Sequence, residues 1–326
     1  MNDKIALSTW PTPLEPAPRL AAALGLGEDD LWIKRDDLIG LGGGGNKVRK
    51  LERLLAAALA EGADTLVTTG APQSNHARLT AAAGARLGLD VVLVLSGTAD
   101  SAGGGSGNLV LDSLFGARVH WAGDGAPGGL AEAADELCLR LRREGARPYL
   151  IPFGGSSPLG ARGYVDGGEE LRAQLPDLAQ VVVALGSGGT MAGLIGALGE
   201  ERVLGVHCGA VADPAATVAG LATAVTGRTV TAESLRIRTD QVGAGYGVLH
   251  EPVLQAMRTA ATTEGIVLDP VYSGRAMAGL IAAVKDGDIR AGRRTVLLHT
   301  GGLPGLYGHA ETVRRSVAAL DSHGAG

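Results

Sequence analysis

The sequence predicts an α/β protein made of two doubly wound domains with parallel sheets. Short β-branched runs alternate with alanine-rich helical patterns along almost the whole chain. Glycine-rich turns follow many of those runs, and glycine supplies 52 of 326 residues against a usual share of about 7%. The length itself exceeds the roughly 100–200 residues of one ordinary domain, so two units fit better than one.

Taken in order, the opening stretch MNDKIALSTWPTPLEPAPRL lacks the basic, apolar and small-residue regions of a secretory leader, so a cytoplasmic chain is expected. The acidic run at 28–30 reads as a solvated turn. An extended charged stretch, KRDD, then leads through the glycine loop at 40–45 into an amphipathic helix with Leu51, Leu54, Leu55 and Leu59 on its apolar side. Strand and helix alternate next as DTLVTTG, SNHARLTAAAGARLG, VVLVLSG, GNLVLDSLFG, RVHWAG, LAEAADELCLRLRREG and PYLIPFG. Gly, Ser and Pro cluster at 156–164, where a seam between the two units is expected. The pattern resumes with the strand AQVVVALG, the helix TMAGLIGALGEE, the strand RVLGVHCGA and the helices DPAATVAGLATAV and HEPVLQAMRTAATTEG. A strand at IVLDP, the helix RAMAGLIAAVKDG and the strand RTVLLHT complete it.

Composition excludes several function classes. Net charge is −5 and no basic run of five or more occurs, so the electrostatic footprint of a nucleic-acid binder is missing. No uncharged run reads as a membrane span of about 20 residues. Cys138 and Cys208 stand on apolar stretches without ligand spacing, so neither a disulfide framework nor a metal site is expected.

In open α/β sheets, ligands bind outside the carboxyl ends of the strands, so the loops after strands are where chemistry is sought. Lys47 opens the helix after the first glycine loop, with Arg49 and Lys50 beside it. Cations are disfavoured at a helix N-terminus, and three together ask for an anion nearby. The same loop contains G-x-G-x-x-G at Gly40, Gly42 and Gly45, but the preceding run is charged and no acidic residue ends a second strand about 20 residues on, so a dinucleotide site is not favoured. Gln73, Ser74, Asn75 and His76 lie between a strand and a helix, where Ser74 or Asn75 caps the helix and its first amides make an anion site. Gly186, Ser187, Gly188, Gly189 and Thr190 form a second strand-to-helix loop, without lysine, suited to a monophosphate. Tyr272, Ser273 and Thr300 follow strands, and Tyr246 stands among glycines.

Together, GGNK-x-R-K-L-E at 44–52, QSN-H at 73–76, GSGGT-x-AG at 186–193, DPVYSG at 269–274 and HTGG-x-P at 299–304 closely resemble the D-cysteine desulfhydrase and 1-aminocyclopropane-1-carboxylate deaminase family. Members depend on pyridoxal 5′-phosphate and have the tryptophan synthase β-like fold, fold type II. The resemblance implies a large cofactor-binding domain of residues 1–47 and 160–326, a small domain of residues 48–159, and a homodimer. It implies that Lys47 carries the cofactor, that Lys50 lies near the phosphate, and that the 186–190 loop holds it. Asn75 would bond the ring hydroxyl, Thr300 the ring nitrogen, and Ser74 with neighbouring Gln73 and His76 the substrate. Tyr246 and Tyr272 would face the substrate, with Ser273 beside them.

Two positions discriminate within the family. The deaminases carry Glu and Leu where this chain has Ser273 and Thr300, the pattern of the D-cysteine desulfhydrases, and His76 matches that branch as well. A hydroxyl at the pyridine nitrogen makes a weaker electron sink than a carboxylate, which suffices to expel a good β-leaving group. The expected activity is β-elimination from D-cysteine to pyruvate, hydrogen sulfide and ammonia, by a carbon–sulfur lyase. L-cysteate sulfo-lyase activity is the alternative, with Arg162 as the extra cation a sulfonate wants, and the cyclopropane deaminase comes third. Either Lys47 or a tyrosine takes the Cα proton, and burial plus the neighbouring cations are expected to keep the Lys47 amine free. A nicotinamide oxidoreductase would leave Lys47, Asn75 and Ser187 without a role.

Overall fold

Runs such as VVLVL and VVVAL are apolar at every position, as parallel strands covered on both faces by helices require. In a computed structural model, which describes residues 3–100, 105–123 and 127–322, these runs build two sheets. The chain enters through β1 (Leu14–Pro16), α1 (Pro18–Ala23), β2 (Leu31–Arg35) and α2 (Lys47–Ala60). It continues through β3 (Thr65–Gly70), α3 (Asn75–Leu87), β4 (Asp90–Leu95), α4 (Asn108–Leu114), β5 (Arg118–Trp121), α5 (Pro127–Arg143) and β6 (Pro148–Ile151). After α6 (Pro158–Gln174) come β7 (Gln180–Leu185), α7 (Gly189–Leu198), β8 (Val203–His207), α8 (Pro214–Thr226) and β9 (Arg236–Arg238). The last elements are α9 (Glu251–Glu264), α10 (Ser273–Lys285), β10 (Thr295–His299), α11 (Leu303–Tyr307) and α12 (Ala310–Ser322).

The first sheet has the order β1-β2-β10-β7-β8-β9, parallel throughout except for the antiparallel β1–β2 pair. The second has the order β5-β4-β3-β6 and is wholly parallel. Each sheet reverses its winding once, between β7 and β10 in the first and between β3 and β6 in the second. Those two crevices are where doubly wound sheets take their ligands. Alternate residues of each strand feed opposite faces: Val182 and Leu297 pack toward α9 and α10, while Val181, Val183 and Leu298 pack toward α6 and α7. Leu66 and Leu93 likewise meet α2 and α3, and Val67, Val92 and Val94 meet α5. Burial of a side chain such as Leu51, Leu54 or Leu55 contributes roughly 1.5–3 kcal/mol.

Several expectations need correction. Residues 158–164 are not a loop but the start of α6, capped by Ser157, whose Oγ accepts from Gly160 N at 3.1 Å. The glycines there let three helices approach closely: a Cβ on Gly163 would run into the backbone of Arg49 on α2. The segment 266–270 is not a strand. Its Ile266 and Leu268 are core residues, but Asp269 turns to cap α10, accepting from the amides of Val271, Tyr272 and Ser273 at 2.8–2.9 Å. Leu59 is 39% exposed while Ala58 in the same turn is fully buried, because Leu59 lies at the edge of the buried stripe formed by Leu51, Leu54, Leu55 and Ala58. Asp30 is buried rather than solvated, its Oδ2 accepting from Gly27 N and Gly292 N. The glycine-rich run at 101–107 lies outside the described residues in its first four positions. Cys138 and Cys208 are buried free thiols. Among the described residues no helix is long and apolar enough to cross a membrane.

Candidate active site

The two crevices face one another, and a pocket of about 260 Å³ lies where they meet. Lys47, Ser74, Asn75, His76, Gly186, Ser187, Gly188, Thr190, Tyr246, Tyr272 and Thr300 all line it, although up to 253 positions separate them in the chain. Local sequence explains the placement of those that follow strands. Apolar β3, β7 and β10 end in Gly70, Leu185 and His299, and the chain must then leave the sheet through residues whose polar side chains or bare backbone face the crevice.

Lys47 is the first residue of α2, and the one hydrogen bond of its Nζ among the described residues goes to the carbonyl of Gly154, at 3.3 Å. Burial pushes its pKa down to about 8, with the Cys208 thiol opposing. The cations that crowd this helix start have separate fates. Arg49 is claimed by protein carboxylates: its Nε and Nη2 donate to Asp36 at 2.9 Å and its Nη1 to Glu170 at 2.9 Å. Lys47 and Lys50 have no carboxylate partner among the described residues. Lys50 does not line the pocket; it lies behind the 186–190 loop, bonded to Gly154 O at 3.2 Å and Ser156 Oγ at 3.0 Å. Burial, and then the charge of Lys47, push its pKa well below the usual lysine range. The neighbouring charges expected to free the Lys47 amine therefore reduce to burial, since Arg49 is neutralised.

Against the 186–190 loop stands a residue that the sequence did not flag. Ser156 Oγ accepts from Lys50 Nζ and, at 3.1 Å, from Gly189 N, so its own proton goes to Ser187 Oγ at 2.8 Å. That leaves the Ser187 hydroxyl proton free to face the pocket. Gly189 opens α7; a Cβ there would stand 2.6 Å from Ser156 Oγ and 2.9 Å from Lys50 Nζ. Asn46, just before Lys47, donates to Thr190 Oγ1 at 3.1 Å. A polar residue one turn after an apolar strand was the available signal for Ser156, hidden because 156–164 read as a seam.

Ser74 caps α3, its Oγ accepting from Ala77 N at 3.1 Å, which leaves its proton without a partner among the described residues. The orientation of the Asn75 amide follows from its neighbours. Asn108 Nδ2 must be a donor because it meets the carbonyl of Gln73 at 2.9 Å, so the Asn75 atom 3.1 Å from it is the oxygen. Asn75 therefore turns its two N–H donors away from Asn108. His76 is equally constrained. Thr68 gives its proton to Ile151 O, so His76 Nε2, 3.0 Å from that hydroxyl, is the protonated nitrogen. Burial first, then Lys47 and Lys50, hold the ring neutral, with its pKa well below the usual range.

Two expected residues lie elsewhere. Gln73 does not line the pocket: it clamps the chain before α4, its Nε2 donating to Ser106 O and its Oε1 accepting from Asn108 N, both at 2.9 Å. Ser273 is buried away from the pocket, where its hydroxyl donates to Asp269 Oδ1 at 2.6 Å in the cap of α10. Across the pocket the hydroxyls of Tyr246 and Tyr272 are 2.7 Å apart. Burial, reinforced by Tyr246, raises the Tyr272 pKa well above the phenol range. Arg275 fixes the loop that bears Tyr246, donating to Cys208 O at 2.6 Å, Gly245 O at 2.8 Å and Val248 O at 2.9 Å. No acidic side chain lines the pocket among the described residues.

Residues 5–301 match the family described as pyridoxal-phosphate dependent enzyme. The D-cysteine desulfhydrase of Klebsiella pneumoniae (strain 342) is 43% identical over 327 residues, covering 94% of this chain and 96% of that protein. The putative 1-aminocyclopropane-1-carboxylate deaminase of Pyrococcus abyssi is 40% identical over 324 residues, covering 94% of each. A crystal structure of an ACC deaminase homologue superposes with a TM-score of 0.87 at 37% identity, covering 96% of this chain and 95% of the other.

Proposed function

This chain belongs to the family of pyridoxal-phosphate dependent enzymes, and from that premise we propose that it is a D-cysteine desulfhydrase, splitting D-cysteine into pyruvate, sulfide and ammonia. It is a lyase of the group that includes the D-cysteine desulfhydrases and 1-aminocyclopropane-1-carboxylate deaminases. The observation that carries the finer reading is the pocket wall. It holds the hydroxyl of Thr300 at the end of β10 and no carboxylate among the described residues, which suits a leaving group that departs readily.

The residues fit the cofactor on their own chemistry. Two buried amines without counter-ions and a glycine loop at a helix N-terminus await a phosphate, and the N–H donors of Asn75 await a ring oxygen. When bound, pyridoxal phosphate supplies the electron sink that stabilises negative charge at the Cα of an attached amino acid. Lys47 would hold it covalently; Lys50, Ser187 and Thr190 would hold the phosphate; Thr300 would hold the ring nitrogen. Ser74 and the first amides of α3 take the substrate carboxylate. Lys47, with its depressed pKa, is the base that takes the Cα proton. Tyr272, held in its protonated form, is suited to give a proton to the departing sulfur rather than to act as that base.

Two features favour a thiol over a sulfonate as the leaving group. His76 is neutral, and Lys47 is the single cation lining the pocket among the described residues. Arg162 is exposed on α6, away from the pocket. The test is to supply D-cysteine, L-cysteine, L-cysteate and 1-aminocyclopropane-1-carboxylate to the holoenzyme. Sulfide from D-cysteine alone is expected; sulfite from L-cysteate or 2-oxobutanoate from the cyclopropane would replace this reading with another.

The Lys47 pKa of about 8 gives a pH dependence with a definite sign. The neutral amine is the nucleophile, so apoprotein takes up pyridoxal phosphate faster as pH rises. Below the midpoint each pH unit slows uptake about tenfold, and above it the rate levels off. Stopped-flow growth of the visible absorption band measures this, and a flat profile would contradict the burial of the amine.

A further inference from the structure

Asn108 is fully buried at the first position of α4, and its side-chain amide is engaged on one side only. Nδ2 gives one proton to the carbonyl of Gln73 at 2.9 Å and the other to Asn75 Oδ1 at 3.1 Å, while Oδ1 has no partner among the described residues. Burying an amide oxygen without a partner is costly, so what recommends asparagine at this position is its pair of donors.

The contact is closed on its other sides. Gln73 Oε1 accepts from the backbone amide of Asn108 and Gln73 Nε2 donates to Ser106 O, which clamps residues 106–108 to residues 73–75. Gly305 of α11 lies over the pair, and a Cβ on it would stand 3.4 Å from Asn108 Nδ2 and 3.7 Å from Asn75 Oδ1. Arg78 and Asp112 lie one turn further along the same faces of α3 and α4. Arg78 donates to Gly42 O and Gly44 O, and neither charged group hydrogen-bonds to Asn75 or Asn108 among the described residues. An asparagine amide left to itself turns over and exchanges donor for acceptor with almost no change of shape. At Asn75 that choice is made from α4.

We propose that Asn108, which does not line the pocket, is the positioning residue that keeps Asn75 a donor toward it and thereby sets the ionisation of the cofactor's ring hydroxyl. The inference rests on the reading above that Asn75 meets that hydroxyl. A donor favours the ionised oxygen, and an acceptor favours the protonated one. Asn108→Asp keeps the size and shape of the side chain but has no N–H to give. A carboxylate there repels the Gln73 carbonyl and Asn75 Oδ1, so Asn75 turns over, donates to the carboxylate and presents its oxygen to the pocket. Lys47, His76, Tyr246 and Tyr272 are the titratable groups lining the pocket among the described residues, and every variant below retains them.

The test titrates the visible absorption band of the holoenzyme with pH in the absence of substrate, so the outcome does not depend on which amino acid the enzyme cleaves. Asn108→Asp is expected to raise the midpoint by at least about one pH unit and the dissociation constant of pyridoxal phosphate at least about fivefold. Asn108→Ala frees the Asn75 amide without adding a buried charge, and both quantities should move the same way by less. Leu109→Ala loosens the packing of α4 on its core and should lower the melting temperature while leaving the midpoint in place. Unmoved midpoints in both Asn108 variants, with Asn75→Ala displaced, overturn the inference and keep the contact of Asn75 with the cofactor. A midpoint that Asn75→Ala also leaves unmoved removes that contact, and the inference falls with it. A Leu109→Ala midpoint displaced as far as that of Asn108→Asp assigns the effect to the docking of α4 and overturns the inference as well.

Discussion

Lys47→Ala is expected to give a folded protein without the visible absorption band and with turnover reduced by at least about 10³-fold, since the proposed covalent anchor and the proposed Cα base are both gone. The fold should not suffer. Among the described residues the Lys47 amine makes one hydrogen bond, to the Gly154 carbonyl, and burial already lowers its pKa to about 8, so removing it relieves a buried amine of its desolvation. Thermal melts of the apoproteins should therefore match or favour the variant. The absorption spectrum and the sulfide assay read the functional part. A variant that kept the visible band and turned over D-cysteine would remove Lys47 from its role, and with it the account of the pocket.

Asp36→Ala is expected to have the largest effect on stability, about 3–5 kcal/mol, by leaving a buried guanidinium without half of its charge partners. Asp36 is fully buried and accepts from Thr12 Oγ1 at 2.8 Å, from two nitrogens of Arg49 at 2.9 Å, and from the hydroxyl of Tyr164. Glu170 bonds the other side of Arg49 and also Lys34, so β2, α2 and α6 meet at one set of charges. Two residues before Arg49 stands Lys47, and loosening α2 should therefore also weaken cofactor binding. Burial pushes the Asp36 pKa up, but the charge and hydrogen bonds of Arg49 outweigh it and hold the carboxyl below 3.8. Its stabilisation is accordingly present at neutral pH and lost as pH falls through the folded-state pKa. Chemical denaturation at pH 7 tests the effect; an unchanged midpoint would mean that Arg49 finds full compensation elsewhere.

The loops that line the pocket were readable because each is a local pattern. An apolar strand, a few small or polar residues and an amphipathic helix are contiguous in the chain, and Ser74, Asn75, Ser187, Thr190 and Thr300 were found that way. What the pattern could not distinguish was which polar side chain faces the ligand and which one holds the protein. Gln73 and Ser273 sit in the same motifs as their neighbours, yet one clamps the start of α4 and the other caps α10. The reverse error hid Ser156, whose three partners come from α2 and the loop after β7.

The charges beside the first glycine loop show the same division. By itself the sequence determined the two-sheet α/β class, most of the strand–loop–helix order, and the small and polar loops that lead into α3 and α7. Lys34, Asp36 and Arg49 read as an extended charged stretch and an anion-seeking helix start, because nothing nearby in the chain marks them as buried. Only the tertiary structure brought Glu170, 121 positions away, and Tyr164 against Arg49, leaving Lys47 and Lys50 as the unpaired amines. The same assembly set a largely apolar cavity beside Phe153, whose walls come from α5, β6 and the chain after β8. Periodicity reports which face of an element is apolar, because that follows from backbone geometry alone. Which charge meets which, and what space is left between two sheets, depends on packing across the chain, where burial raises the stakes of every unpaired group.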